Sequence, residues 1–276
     1  MNKLVRQNLS LEFFPPSDEN KKKLLLNNIH VLNKLNLNFI SVTYGAGGST
    51  RDRTHDLIIK LKGALNCEVV PHLTIVNETK EKLIDLLKQY FRYGIKNIVI
   101  LRGDHPNGKF EVFKNGFSET SELIYSAKEI GFKKIFVSGY PEIHPESTGF
   151  KEDIGILKNK IKKGANGLIT QFTLADEKMS TYHKLLISNK INIDFIPGVI
   201  IFTKLNGILK MAQKCNIYIP DELLNYKNLP VKLISKNLME FNLNQIKKIL
   251  KNYKRCHIFT LNNIKLLLNI LERIDG

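Results

Sequence analysis

The chain has 276 residues, 43% of them hydrophobic, which suits one large α/β domain or two small ones with a sizeable core. Its 42 Lys and Arg against 26 Asp and Glu leave a net charge of +16. The lysines are spread through helix-like segments without an aromatic RNA-binding motif, so the charge does not argue for a nucleic-acid partner. No apolar run reaches the ~18–20 residues of a membrane span, residues 1–9 do not read as a signal peptide, and Cys67, Cys215 and Cys256 form no CxxC or Cys/His ligand pattern. Buried free thiols in a cytoplasmic protein are expected, with no membrane partner and no metal.

Along the chain, short β-rich runs alternate with helix-period segments. The first run is 9–14 (LSLEFF), followed by a helical pattern over 19–35. The strand candidate 38–43 (NFISVT) leads into the Gly-rich "YGAGGST", read as a loop. Strand 67–74 (CEVVPHLT) precedes a helix over 79–92, for which Asn77 or Thr79 offers the N-cap, with acids in the first turn. Strands 97–101, 134–139, 167–172 and 193–199 follow, separated by helices over 120–130, 151–163 and 177–189. Gly94, Gly131 and Gly164 stand where helices should stop. Residues 204–250 hold extra helical material before strand 256–260 (CHIFT) and helix 262–273.

Eight strands alternating with helices imply a parallel sheet, either open and doubly wound or closed. The strand count, the length and the lack of a linker favour a (β/α)8 TIM barrel, a single domain over residues 1–276. No GxGxxG follows the first strand, which weakens a dinucleotide-binding Rossmann reading.

In such a barrel, function gathers at the C-terminal strand ends. Those ends carry Glu12, Thr43, His72, Arg102 with Asp104, Tyr140 with Glu142 and His144, and Gln171. In the first strand Leu9, Leu11 and Phe13 alternate with Ser10, Glu12 and Phe14, so the second set is expected to face the barrel interior. A carboxyl there either keeps a proton for acid catalysis or pairs with a neighbouring Lys or Arg, and the alternation does not choose. "YGAGGST" is a phosphate cradle or merely a turn. His72 is a ligand-facing group or a satisfied core histidine. Arg102 and Asp104 are site charges or a local salt bridge.

Together, "LEFFPP", "SVTYGAGGSTRDRT", "PHLT", "LRGD", "GYPEIHPES" and "GANGLITQF" resemble methylenetetrahydrofolate reductase, in order and spacing, from about residue 9 to residue 263. The resemblance implies a barrel that binds FAD, is reduced by NADH or NADPH (NADH expected), and passes a hydride from flavin nitrogen-5 to 5,10-methylenetetrahydrofolate in a ping-pong cycle. The product would be 5-methyltetrahydrofolate, feeding methionine biosynthesis. Opening the folate ring to an iminium cation needs a proton on nitrogen-10. Glu12 matches the general acid, Asp104 the acid beside flavin and pterin, and Gln171 the amide that positions folate. FAD binding is implied for Thr43, His72, Arg102, Gly103, Asp104, Thr120, Tyr140, His144, Ser147, Asp153 and Lys160. Arg102 and Lys160 suit the diphosphate, and Asp153 suits cofactor hydroxyls.

Three positions depart from the family pattern. "TLNN" puts Asn263 at the implied folate-binding position, where an arginine would reach the folate tail, with Lys265 or Lys204 as the candidate substitutes for its charge. "PGVII" puts Ile201 where a proline is usual, and Met211 replaces an aromatic that stacks on nicotinamide. These departures motivate an alternative, a flavin-binding barrel acting as a non-catalytic subunit or scaffold. A homo-oligomer is expected from the resemblance.

Overall fold

The structure is a computed structural model describing residues 8–44, 48–104, 108 and 110–275, with the backbone alone for 48–52 and 275. Eight parallel strands close a barrel in sequence order, and the last pairs with the first. They are β1 Leu9–Phe13, β2 Phe39–Val42, β3 Glu68–Thr74, β4 Asn97–Leu101, β5 Lys134–Gly139, β6 Gly167–Phe172, β7 Asp194–Ile200 and β8 Cys256–Phe259. Around them lie α1 Glu19–Ile29, α2 Gly48–Ala64, α3 Lys80–Arg92, α4 Thr120–Ile130, α5 Phe150–Lys163, α6 Asp176–Ser188, α7 Leu205–Lys214, α8 Asp221–Asn225, α9 Val231–Asn252 and α10 Ile264–Asp275. Each expected strand is present within one residue at either end.

Alternation in β1 sorts its side chains as expected. Leu9, Leu11 and Phe13 are fully buried in the layer between sheet and helices. Ser10 and Glu12 turn inward, in register with Phe39 and Ser41 of β2 and with His257 and Phe259 of β8. Phe14 departs from that face. The strand ends at Phe13, and Phe14 is 42% exposed, its N–H and C=O both held by the Asn262 amide at 3.0 and 2.8 Å. Two prolines follow, so the chain cannot extend the ladder.

The helices carry their own start and stop signals. Thr79, not Asn77, caps α3 by accepting from Lys82 N, and Gly131 and Gly164 close α4 and α5. The helix expected over 19–35 is α-helical only to Ile29 and continues as a 3₁₀ turn over His30–Leu35. Three residues per turn place Leu32 and Leu35 on one face, and both are buried. The glycine-rich stretch is shorter as a loop than expected. Helix α2 already begins at Gly48, and the remaining glycine-rich residues, 45–47, lie outside the described residues.

The long segment 204–250 forms α7, α8, a 3₁₀ turn and most of α9. Together they build a second core of Phe202, Leu205, Ile208, Leu223, Leu238 and Phe241 against the ends of β6 and β7. Asn242 is fully buried on α9, yet its amide is satisfied by Phe202 N and O at 3.1 and 2.7 Å, which locks this layer to the end of β7.

One glycine is demanded by close approach. A Cβ on Gly198 of β7 would lie 2.2 Å from Thr170 O and 2.7 Å from the Phe259 ring. Backbone cannot yield as a side-chain tip does. Gly198→Ala is therefore expected to cost at least about 2–3 kcal/mol, read as a lowered urea midpoint with unchanged slope. Stability equal to that of the parent would show that the β6–β7 seam relaxes freely.

Candidate active site

The C-terminal ends of the strands surround a cavity of about 410 Å³ in the barrel mouth. Glu12 enters it from β1. Its backbone oxygen accepts from Thr260 Oγ1 at 2.6 Å and from Thr260 N at 3.3 Å, so the "TLNN" turn after β8 fixes the strand that carries the acid. The side chain is 20% exposed, open to a ligand yet lined by protein. Its Oε2 lies 3.6 Å from His72 Nε2 and 3.7 Å from His257 Nε2. The partners of Glu12 are thus two imidazoles rather than the Lys or Arg of a structural ion pair.

His72, 5% exposed, is no satisfied core histidine. Its Nε2 makes no hydrogen bond, and neither does the buried Thr74 Oγ1 nearby in β3; both residues line the cavity. Orphaned buried polar atoms at a cavity wall mark where a ligand's polar edge fits. Burial pushes the His72 pKa down to about 4, against the pull of Glu12, so the ring is neutral near pH 7.

On the opposite wall stand Arg102, Gly103 and Asp104 after β4, Tyr140 and His144 after β5, and Gln171 in β6; Thr43 lines the same cavity. Gly103 turns at φ +86°, and a Cβ there would meet Val76 and Thr74 at 2.7 and 2.8 Å, so the sharp exit from β4 needs glycine. Arg102 does not pair with Asp104. It makes a two-pronged bond to Glu146, at 2.6 and 2.9 Å. Tyr140 packs edge-on against His144 at 4.6 Å. Gln171 Oε1 accepts from Phe172 N at 3.0 Å, beside the register irregularity in β6.

A second cleft of about 170 Å³ shares Arg102, Ser138, Tyr140 and His144 with the first as a common wall. It brings in Thr120 at the start of α4, Ser147, and Asp153 and Lys160 of α5. Asp153 accepts from His144 N at 2.9 Å and bonds Ser147 Oγ, so it shapes the loop between β5 and α5. Lys160 has no anionic partner within ion-pair distance among the described residues. Burial, helped by the nearby Arg102 charge, brings its pKa down to about 8. A desolvated lysine crowded by an arginine, on the wall of the second cleft, is a site for an anionic group.

Glu142, also expected at the strand ends, lines neither cleft and accepts from Tyr218 N at 2.8 Å, and Asn263 is likewise not brought here. Its Oδ1 accepts from Leu266 N at 3.0 Å, capping α10, and it does not line the cavity. Lys204 and Lys265 are exposed and do not line it either. Ile201 is fully buried in the core. Met211 does face the cavity, with Cys215 one turn on, half-buried rather than buried. His257 was not anticipated. Its one available signal was alternation in "CHIF", which turns it inward two residues before Phe259.

A family model described as methylenetetrahydrofolate reductase matches residues 2–275. The 5,10-methylenetetrahydrofolate reductase of Salmonella typhimurium is 34% identical over 94% of this chain and 88% of its own length. That of Escherichia coli is 37% identical over 77% of this chain and 71% of its own. Methylenetetrahydrofolate reductase (NADH) 1 of Arabidopsis thaliana is 31% identical over 96% of this chain and 48% of its own. Among solved structures, an uncharacterized Clostridium thermocellum protein that binds two copies of 5-methyl-5,6,7,8-tetrahydrofolic acid superposes with a TM-score of 0.66. It covers 99% of this chain and 97% of its own at 16% identity, a likeness of fold. Among the described residues no helix is long and apolar enough to cross a membrane.

Proposed function

The chain belongs to the methylenetetrahydrofolate reductase family, and on that premise we infer that it reduces 5,10-methylenetetrahydrofolate to 5-methyltetrahydrofolate with electrons from NADH through FAD, in a ping-pong cycle that serves methionine formation. The observation that carries this reading is Glu12 in the barrel mouth, within 4 Å of two imidazoles and facing Asp104 and Gln171 across one cavity.

The residues fit a flavin dinucleotide. The mouth offers orphaned polar atoms at His72 and Thr74 for a ring edge, and the outer cleft offers Arg102 and Lys160 for a diphosphate and Thr120, Ser147 and Asp153 for hydroxyl groups. When bound, the flavin supplies the two-electron carrier between pyridine nucleotide and folate. Glu12 delivers its proton to nitrogen-10 of the folate, which opens the imidazolidine ring to the iminium cation. Asp104, exposed at the rim, places negative charge beside that cation. Gln171 orients the folate, its amide first leaving Phe172 N. NADH is favoured over NADPH by the plant relative's name.

The deciding experiment is anaerobic. The purified protein should hold or take up FAD, bleach with NADH, and recover its yellow colour on adding methylenetetrahydrofolate. Failure to bind FAD would refute the reading. Bleaching without reoxidation by folate would favour the scaffold alternative.

Lys160 supplies a second check. Only its charged form attracts a diphosphate, and that form is lost as pH rises through about 8. The dissociation constant for FAD, followed by flavin fluorescence, should rise about tenfold per pH unit above pH 8. Lys160→Met should bind weakly at every pH and lose that slope. A parallel slope in the variant would assign the titration to another group.

A further inference from the structure

Beneath Glu12 a buried polar chain runs down the barrel axis. His257 of β8 is wholly buried, its ring stacked on Phe39 at 5.6 Å and edge-on to Phe259 at 5.3 Å. Its Nδ1 lies 2.7 Å from Ser10 Oγ, and its Nε2 lies 3.4 Å from Ser41 Oγ and 3.7 Å from Glu12 Oε2. Ser10 Oγ also donates to Cys256 O at 3.4 Å. A hydroxyl has one hydrogen. Spent on Cys256 O, it leaves Ser10 Oγ as the acceptor for an Nδ1–H. The imidazole then turns an Nε2 lone pair toward Ser41 Oγ and the Glu12 carboxyl, with Ser10, Ser41 and the ring itself all buried.

Resting on the reductase reading, we propose that His257, its tautomer set by Ser10, is a positioning residue that holds one proton on the Glu12 carboxyl by offering Nε2 as the acceptor for the carboxyl O–H, and so sets the alkaline limit of the folate step. The titratable groups facing His257 are Glu12 of β1 and, across the same carboxylate, His72 of β3. The layer beside it adds Ser10, Ser41 and Phe39, and β7 contributes the backbone at Gly198, none of which titrates in this range. The neutral partner favours the protonated carboxyl. Removing it makes that proton easier to lose.

The test has two arms. In the purified protein, ¹⁵N–¹H correlation spectra of labelled histidines should show His257 protonated at Nδ1 and bare at Nε2, and Glu12→Gln should move the Nε2 resonance. An Nε2–H tautomer, or a resonance indifferent to Glu12→Gln, would overturn the proposal without reference to any activity. In the kinetic arm, His257→Gln and Ser10→Ala should shift the alkaline limb of folate reduction down by about one pH unit, while the pH profile of flavin reduction by NADH stays in place. Unchanged limbs in both variants would overturn it, and should His257→Gln fail to fold, Ser10→Ala and the tautomer still decide. If the parent protein is reduced by NADH yet never oxidised by folate, the reductase reading fails, a result distinct from either outcome here.

Discussion

Glu12→Gln should reduce folate reduction by about 10²–10⁴-fold, the usual contribution of a positioned general acid, while changing flavin reduction by NADH no more than a few-fold. The split follows from geometry. Glutamine keeps the shape and the hydrogen-bonding reach of the side chain, so the cavity wall formed by Glu12, His72 and Thr74 stays in place. It cannot release a proton to nitrogen-10, so ring opening stalls. Hydride delivery from a pyridine nucleotide needs no such proton from β1, so that half-reaction proceeds. Stopped-flow absorbance of the flavin measures each half separately. Equal loss in both would mean that Glu12 supports the flavin site as a whole and is not the acid.

Why the acid was legible from sequence, and its partners were not, has a physical explanation. Strand alternation is local, so Leu9, Leu11 and Phe13 sufficed to turn Glu12 inward, and the wall they form is fully buried. Alternation says nothing about what waits inside. His72 and His257 reach Glu12 from 60 and 245 positions away, the first across β2 from β3 and the second only when β8 closes onto β1. The same holds for Arg102, whose nearest acid in sequence is Asp104 but whose bound acid is Glu146, beyond β5. Asn263 shows a different limit. Its place in a motif suggested substrate contact, while its position before α10 made it a cap, a role that Asn fills by its own chemistry. Helix α2 was hidden because glycines punctuate its start, although the chain from Gly48 onward is helical for 17 residues.

Arg102→Ala should raise the dissociation constant for FAD by about 10- to 150-fold, the span of one charge-assisted contact of about 1.5–3 kcal/mol. The guanidinium is now bound through both terminal nitrogens to Glu146, whose side chain is 43% exposed. An exposed pair of this kind is worth only about 0–1 kcal/mol. On the proposed function, a diphosphate would carry more charge, lie desolvated near Arg102 and Lys160, and win the competition for the arginine. Two opposite effects follow. Arg102→Ala removes the contact that binds the anion, whereas Glu146→Gln removes only its competitor, and should tighten FAD binding by up to about fivefold. Fluorescence titration of both variants reads the sign directly. If Glu146→Gln weakens binding as far as Arg102→Ala does, the pair is a structural clamp that orients Arg102, and the diphosphate is held with Glu146 still in place.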